Sequence, residues 1–243
     1  EQIAKMIAKL KKNKLSSEAF LKKIQDDNFI TQEAAKYPKL LESLAKKESG
    51  VKYRLEGYLF PATYNVTDST TAETLIDQML AAMDKTMSRY YDVLATKNLT
   101  VHDVLTIASL VEKEGSTDQD RKNIASVFYN RLNQNMPLQS NIAILYAQGK
   151  LGQKTTLSED AAIDTNIDSP YNIYKNTGLM PGPVDNPSLS AIEATVNPVK
   201  TDYLYFVANT ETGNVYFANT YEEHEKNVQE HVNSKLTQSS SSN

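Results

Sequence analysis

The chain has 243 residues and a formal net charge of −4, with 23% charged residues, 40% hydrophobic residues and no cysteine. This balance is typical of globular proteins and excludes disordered, collagen-like and disulfide-stapled chains. The absence of cysteine excludes thiol catalysis and cysteine-ligated metals, and leaves the cellular compartment open. Unbroken apolar runs are only a few residues long, whereas a bilayer-spanning helix needs roughly 20 apolar residues.

Charge is distributed unevenly along the sequence. Residues 1–95 carry 15 basic and 13 acidic side chains, a balance of +2, whereas residues 96–243 carry 11 and 17, a balance of −6. A nucleic-acid groove needs a clustered basic face, so no nucleic-acid partner is expected. The sequence starts inside a helical pattern without an initiator methionine, so we expect an excised piece of a longer protein, with any anchor outside it.

Helical spacing of apolar residues dominates the first half of the sequence. It predicts a helix over 3–10, a second helix capped by Ser16 or Ser17, a third broken at Tyr37-Pro38, and one long amphipathic helix over 71–94. The segment 54–64 is too rich in aromatic residues, glycine and proline for a regular element. We predict a folded loop or a short strand pair there.

The second half begins with its most apolar helix. Thr100 and Asp103 have the capping-box spacing, and the helix that they start is predicted to span 101–114 and to end at Gly115. The elements predicted after it are helices over 124–132 and 142–147, a turn-rich stretch over 149–198, a β-hairpin from 203–207 and 215–217, and a helix over 221–236.

Most templates for catalytic chemistry are missing from the sequence. There is no G-x-S-x-G elbow, no H-E-x-x-H motif and no glycine-rich phosphate loop, and His102, His224 and His231 are the only imidazoles. We therefore expect neither a metal site nor a cofactor. Carboxylate chemistry remains, and its candidates are Glu112 and Glu114 at the end of the apolar helix.

A helical wheel of this segment leaves the two glutamates undecided. It places Glu112 and Glu114 on opposite edges of the apolar stripe. It turns Thr106, Ser109 and Lys113 toward solvent. A carboxyl group packed against apolar side chains at a helix C-terminus keeps its proton more readily, as a general acid near neutral pH requires. The alternative is a solvated charge cluster.

Six segments carry a resemblance to a known family. They are 55–61 (LEGYLFP), 108–114 (ASLVEKE), 127–132 (VFYNRL), 171–174 (YNIY), 177–183 (TGLMPGP) and 203–207 (YLYFV). In this order they resemble the motifs of the YceG-like (MltG) endolytic murein transglycosylases, over about residues 50–232.

The fold that the resemblance implies is α+β. Residues 1–97 would form a truncated, helical LysM-like part and a connecting helix. Residues 98–236 would form a mainly helical transglycosylase catalytic domain with a small antiparallel sheet. Composition, and not the resemblance, predicts a disordered serine-rich tail over residues 237–243.

The resemblance also implies the chemistry. Glu114, the second glutamate of Val-Glu-Lys-Glu, would be catalytic, with Glu112 as its neighbour at the helix end. The implied reaction cleaves the MurNAc-GlcNAc β-1,4 bond of nascent peptidoglycan strands and leaves 1,6-anhydro-MurNAc ends. Since the C6 hydroxyl of the same sugar attacks, one glutamate can act as acid and then as base. The family usually has an acid where Ala62 stands, and Thr-Asp where Ser140-Asn141 stand, so no acid acts at those positions.

Further residues are candidates because aromatic rings and amides in exposed loops suit sugar rings and N-acetyl groups. The predicted substrate-binding residues are Glu56, Gln139, Tyr171, Asn172 and Tyr174, which we expect to converge around Glu114. The alternatives are that the tyrosines pack under a loop, that Glu56 binds loop amides and that Gln139 caps a loop. Asn219 and His224 resemble a C-terminal motif of the family, although a lone helical histidine is more often structural.

Two classes of function remain open at this point. The first is the enzyme, and the alternative is a non-catalytic peptidoglycan-binding scaffold of the cell-wall elongation machinery. The intact Glu114 favours the enzyme, since a pure binder has no need of it. The resemblance further implies peptidoglycan strands and cell-wall synthesis proteins as partners, and a single-pass anchor outside this chain. The catalytic domain would lie on the extracytoplasmic face of the cytoplasmic membrane.

Overall fold

The computed structural model describes residues 1–10, 14–153, 162–209 and 212–233. The helices of this part are α1 (Gln2–Leu10), α2 (Ser17–Lys23), α3 (Asp27–Lys36), α4 (Pro38–Leu41), α5 (Ala72–Met87), α6 (Tyr91–Thr96), α7 (Val101–Glu114), α8 (Asp118–Asn133), α9 (Asn141–Ala147), α10 (Leu189–Val196) and α11 (Tyr221–Val228). A 3₁₀ turn spans Lys47–Ser49, and a π-helical turn spans Gln229–Asn233. The strands are β1 (Tyr205–Ala208) and β2 (Val215–Ala218). In the described part, no helix is long and apolar enough to cross a membrane.

The predicted α+β class is confirmed by this mixture of helices with one small antiparallel sheet. In the sheet, Tyr205 pairs with Ala218 and Ala208 pairs with Val215. The LysM-like detail stays a prediction. The predicted serine-rich tail, 237–243, lies outside the described residues.

The chain divides into two compact units. The first contains residues 1–106 and 181–189, and the second contains residues 107–180 and 190–243. The division therefore falls within α7. The boundary predicted at residue 97 stays a prediction, as do the domain assignments that depend on it.

Local capping explains where several helices begin. The Ser16 hydroxyl accepts a hydrogen bond of 3.0 Å from Ala19 N at the start of α2. At the start of α7, Asp103 N donates to Thr100 Oγ1 (3.0 Å) and Thr100 N donates to Asp103 Oδ2 (3.2 Å), which is the predicted reciprocal box. These short-range bonds satisfy the amide groups that a helix leaves unpaired at its first turn.

Two predictions of helix extent are wrong. The helix predicted over 71–94 is two helices, because a turn closed by Tyr90 N donating to Met87 O (2.8 Å) separates α5 from α6. This turn buries the Tyr90 ring. The stretch 149–198, predicted as turns, contains α10, whose residues Ala191, Ile192, Ala194, Thr195 and Val196 are buried. Tertiary packing overrides the turn signals of the surrounding prolines there.

The loop around Gly57 is held by one asparagine of the same unit. Asn186 Oδ1 accepts from Gly57 N (2.9 Å) and from Leu59 N (3.1 Å), while its Nδ2 donates to Glu56 Oε1 (3.1 Å). Gly57 has a φ of +86°, and a Cβ built on it would lie 2.3 Å from Pro183 Cγ. The position therefore requires glycine for both its conformation and its packing.

Glu56 belongs to the same set of hydrogen bonds around Asn186, called the Asn186 clamp below. The residue as a whole is half-buried, but protein atoms surround its carboxyl group, and this burial raises the pKa of Glu56 to about 7 from 4.5. The nearby charge of Asp185 also raises the pKa of Glu56. The Asn186 clamp thus places a carboxyl group that can hold its proton near neutral pH in the first unit.

Replacing Gly57 by alanine should destabilise the protein more than the same change at Gly178. Gly178 has a similar φ of +83°, but nothing lies within 4 Å of a Cβ built there. Both variants carry the cost of a left-handed alanine, while only Gly57→Ala adds the clash, which we expect to cost roughly 1–3 kcal/mol more. Urea unfolding of both variants measures the difference, and equal losses would contradict the packing argument.

Glu56→Gln should stabilise the protein at high pH. Between pH 4.5 and about 7 the folded state binds more protons at Glu56 than the unfolded chain, so its stability falls as the pH rises through this window. The neutral glutamine removes this loss and can still accept from Asn186. We expect a gain of about 2–3 kcal/mol at pH 8 and none from this cause at pH 4, measured by urea unfolding.

The matched control for this substitution is Glu48→Gln, which changes an exposed glutamate of the same unit. Its effect should be the same at both pH values. A gain for Glu56→Gln that does not depend on pH would contradict the raised pKa of the Glu56 carboxyl.

Candidate active site

Helix α7 is buried along most of its length and ends at the half-buried residue Glu114. No side chain of residues 104–111 is more than 1% exposed, whereas Glu112, Lys113 and Glu114 are half-buried. The prediction that Thr106 and Ser109 face solvent is wrong, since both are fully buried. A helical wheel treats only one face of a helix as buried. Residues 104–111 of α7 are buried on every face, and small hydroxyl side chains fit among their neighbours there.

Glu114 contacts a buried serine that precedes α9. Ser140 Oγ donates a hydrogen bond of 2.6 Å to Glu114 Oε1. Ser140 Oγ also accepts a hydrogen bond from Ile142 N (3.2 Å) and so caps α9. A loop hydroxyl and the end of a buried helix therefore hold the carboxyl group of the predicted catalytic residue.

Glu112 has a different partner. Its Oε1 lies 3.8 Å from Arg121 Nη2 at the start of α8. The connection between the two helices is tight, because a Cβ built on Gly115 would lie 2.6 Å from Arg121 Cγ. The two glutamates that the wheel left equivalent are thus distinguished by their surroundings: Glu112 faces an arginine and Glu114 a hydroxyl.

Tyr174 lies within electrostatic range of Glu114. Burial and, second, the negative charge of Glu114 raise the pKa of Tyr174 to about 12, while the charge of Arg131 opposes them. The Tyr174 hydroxyl donates to Asn141 Oδ1 (2.7 Å), and Asn141 directly follows the serine that binds Glu114. Tyr174 and Glu114 therefore lie within electrostatic range of each other, and contact of Tyr174 with a substrate stays a prediction.

Tyr171 and Asn172 are buried parts of the same loop. The Asn172 side chain, 1% exposed, donates to Thr165 O (3.0 Å) and Ile167 O (2.8 Å), and its Oδ1 accepts from Tyr174 N (3.1 Å). The Tyr171 ring packs at 5.0 Å from the ring of Tyr146. These contacts hold the loop that presents Tyr174, and substrate contact by Tyr171 and Asn172 stays a prediction.

Gln139 is exposed and precedes Ser140. It has a positive φ of 57°, its backbone N donates to Ile173 O (3.0 Å), and its Oε1 accepts from Arg131 Nη1 (3.0 Å). The loop of Gln139 is therefore joined to the loop of Tyr174 through the backbone. Four of the predicted site residues, Gln139, Tyr171, Asn172 and Tyr174, belong to the unit that contains Glu114.

Glu56 belongs to the first unit, so its predicted convergence on Glu114 stays a prediction. His224 in α11 stacks on Tyr205, with ring centroids 5.4 Å apart, and burial followed by the charge of Arg131 lowers its pKa. Asn219 N donates to Glu223 Oε2 (2.9 Å) at the start of α11. Among the described residues, no cluster of three His, Cys, Asp or Glu side chains could hold a metal ion.

Sequence reasoning missed the contributions of Ser140 and Arg131. Ser140 drew notice only as a departure from the family pattern, although a serine before the apolar run 142–146 is a recognisable N-cap signal. Arg131 stood in a family motif without an assigned role. Its contacts are with residues 137–139 and 204, and no local pattern predicts them.

Comparison with known proteins gives consistent matches. An endolytic murein transglycosylase of Streptococcus pneumoniae serotype 2 (strain D39) is 66% identical over 239 residues, covering 97% of this chain and 43% of the relative. One from Bacillus subtilis (strain 168) is 41% identical over 235 residues, covering 96% of this chain and 63% of the relative. The chain thus spans less than two thirds of the length of these curated relatives.

A solved structure agrees with the sequence relatives. The crystal structure of a putative yceG-like protein from Listeria monocytogenes matches with a TM-score of 0.80 and 43% sequence identity, covering 93% of this chain and 71% of that one. The model of the YceG-like family matches residues 1–230. The motifs, the fold and these matches agree, and the chain belongs to the YceG-like family.

Proposed function

We propose that this chain carries the catalytic part of an endolytic murein transglycosylase, which cleaves the MurNAc-GlcNAc β-1,4 bond within peptidoglycan strands. The curated relatives at 66% and 41% identity bear that name, and the chain retains Glu114 in the Val-Glu-Lys-Glu motif. The observation that carries the proposal is the carboxyl group of Glu114. It is half-buried at the end of a buried helix and hydrogen-bonded to a loop hydroxyl.

The reaction needs one group that first gives and then takes a proton. Protonated Glu114 donates its proton to the GlcNAc O4 as the bond from MurNAc C1 to that oxygen breaks. The C6 hydroxyl oxygen of the same MurNAc then bonds to C1, and its proton returns to the Glu114 carboxylate. The products are a GlcNAc with a free O4 hydroxyl and a 1,6-anhydro-MurNAc end, with no water consumed and the glutamate regenerated.

The neighbouring loops supply groups that suit a glycan. Tyr174 offers a ring and a hydroxyl close to Glu114, and Gln139 offers an exposed amide beside Ser140. In this proposal both contact the strand, while Tyr171 and Asn172 contribute mainly by holding the loop of Tyr174. Binding sites commonly gather polar groups from distant parts of a sequence in this way.

The setting proposed for this activity follows from the substrate. Peptidoglycan is an extracytoplasmic polymer, so the catalytic part would act on the outer face of the cytoplasmic membrane, held by an anchor that lies outside this chain. Nascent strands would be its substrate and cell-wall synthesis proteins its neighbours. The reaction as written requires no cofactor, because proton transfer and an intramolecular hydroxyl supply all of its chemistry.

Glu114→Gln should abolish strand cleavage while keeping the fold. The amide is nearly isosteric, but it can neither give a proton to the leaving oxygen nor take one from the C6 hydroxyl, so we expect a loss of roughly 10²–10⁴-fold or more. The measurement is the release of fragments from purified uncrosslinked peptidoglycan strands, with thermal unfolding as the check of folding.

The matched control is Glu112→Gln, which replaces the other glutamate of the motif. Its partner Arg121 lies 3.8 Å away in a partly exposed pair, so the stability loss should be at most about 1 kcal/mol and most activity should remain. If the activity followed Glu112 instead, the catalytic role would pass to that residue. If neither substitution reduced cleavage, neither glutamate would be the proton donor, and if the unmodified chain released no fragments, the non-catalytic scaffold would be favoured.

A further inference from the structure

We propose that Ser140 is a positioning residue for Glu114, and that Arg131 holds Ser140 in place for this task. The inference rests on the proposed function, since it concerns the group that transfers the proton. Ser140 is 2% exposed and Arg131 is 5% exposed, so both act from within the protein and touch other protein groups. Neither was assigned a role by the sequence motifs.

The two hydrogen bonds of the Ser140 side chain determine where its hydroxyl hydrogen points. A serine hydroxyl has one hydrogen to donate and two lone pairs that accept. Ile142 N donates to Ser140 Oγ over 3.2 Å, which occupies a lone pair, and the hydroxyl hydrogen is then donated to Glu114 Oε1 over 2.6 Å.

The position of Ser140 depends on the segment before it. Arg131 Nη1 donates to Pro137 O (2.8 Å), to Leu138 O (3.3 Å) and to Gln139 Oε1 (3.0 Å). One guanidinium thereby ties down the three residues that precede the serine. Because the planar guanidinium of arginine donates in fixed directions, these hydrogen bonds determine the backbone path of the loop.

The other side of the guanidinium is anchored to the sheet. Arg131 Nε donates to Leu204 O (2.5 Å), and its central carbon lies 5.0 Å from the ring centroid of Tyr205. Carbonyl oxygens and an aromatic face partly replace the water that this cation loses on burial. Arg131 therefore connects α8, the strand region and the loop that carries Ser140.

This geometry has a consequence for proton transfer. A hydroxyl that donates to Oε1 stabilises the carboxylate, and it directs the proton of the carboxylic acid to Oε2. The Ser140 hydroxyl thus selects the oxygen that gives the proton and makes the proton easier to release. Without it, Glu114 would hold its proton to a higher pH.

The other charged groups near Glu114 stay constant when Ser140 is changed. The structure records electrostatic interactions between Glu114 and Tyr174 and between Tyr174 and Arg131, and Glu112 and Lys113 flank Glu114 on α7. A substitution at Ser140 removes none of these charges. A change in the titration of Glu114 therefore reports on the hydroxyl itself.

The experiment uses the full chain with Ser140→Ala, Ser140→Gly and Ser140→Thr. Alanine removes both the hydroxyl and the helix cap, glycine removes the hydroxyl but is well tolerated as a cap, and threonine keeps both. We expect the pKa of Glu114, followed by NMR of its ¹³C-labelled carboxyl carbon, to rise by about one unit with alanine and with glycine. Threonine should restore the native titration.

Activity gives a second readout in the same variants. Because the protonated form of Glu114 starts the reaction, the fall of kcat at alkaline pH should move to a higher pH with alanine and glycine by the same amount as the titration. The cap control is Ser16→Ala, which removes the bond that caps α2 and should move neither quantity. A merely structural role would lower the thermal stability and leave both pH curves in place.

The outcomes separate this inference from the proposed function. A native titration in both the alanine and the glycine variant overturns the role of Ser140, even if Glu114→Gln is inactive. Full cleavage by Glu114→Gln overturns the proposed role of Glu114 in proton transfer, even if the titration shifts as expected. Shifts in both the titration and kcat, with an inactive Glu114→Gln, support the two together.

Discussion

The burial of residues 104–111 in α7 is the constraint on which the candidate site depends. Residues 104–111 are no more than 1% exposed, so any rotation or shift of the helix would force apolar side chains toward water. The reciprocal Thr100-Asp103 bonds define where the helix starts. Since side chains turn by about 100° per residue, this register decides that Glu114 points at Ser140 while Glu112 points at Arg121.

The buried side chain of Arg131 connects the loop that carries Ser140 to the strand region. The recorded partners of Arg131 are carbonyl oxygens, an amide oxygen and an aromatic ring, and burial lowers its pKa although the group stays charged. A buried cation is costly unless its donors are satisfied, so the loop and the strand must keep their positions around it. The guanidinium thus makes the loops around Glu114 part of one hydrogen-bonded structure.

What could be predicted from the sequence was mainly what short-range physics determines. The extent of α7, the cap at Ser16 and the β-hairpin follow from capping residues, spacing and turn signals that lie within a few positions of each other. The break between α5 and α6 and the existence of α10 depend on packing instead. So does the burial of Thr106 and Ser109, which a wheel drawn for one packed face turns the wrong way.

In the candidate site, too, local patterns could be predicted from the sequence and long-range contacts could not. Glu114 is a candidate through its motif, and Tyr174 lies within electrostatic range of it, but the hydroxyl that binds Glu114 depends on a contact across 26 positions. The link from Arg131 to Leu204 spans 73 positions, which no local pattern can reveal. Asn172 is predicted to contact substrate because it lies in a turn-rich stretch, and this stays a prediction; its amide nitrogen donates to the backbone carbonyls of Thr165 and Ile167, which the sequence pattern does not reveal.

The central claim is that one carboxyl group drives an intramolecular attack, and isotope labelling tests it most directly. Uncrosslinked peptidoglycan strands are incubated with the chain in water enriched in ¹⁸O, and the fragments are analysed by mass spectrometry. The account predicts 1,6-anhydro-MurNAc ends without ¹⁸O, because the C6 hydroxyl supplies the attacking oxygen. New reducing MurNAc ends that carry one ¹⁸O atom, beyond those in strands incubated without the chain, would contradict it, since they would show hydrolysis by water and require a second carboxylate.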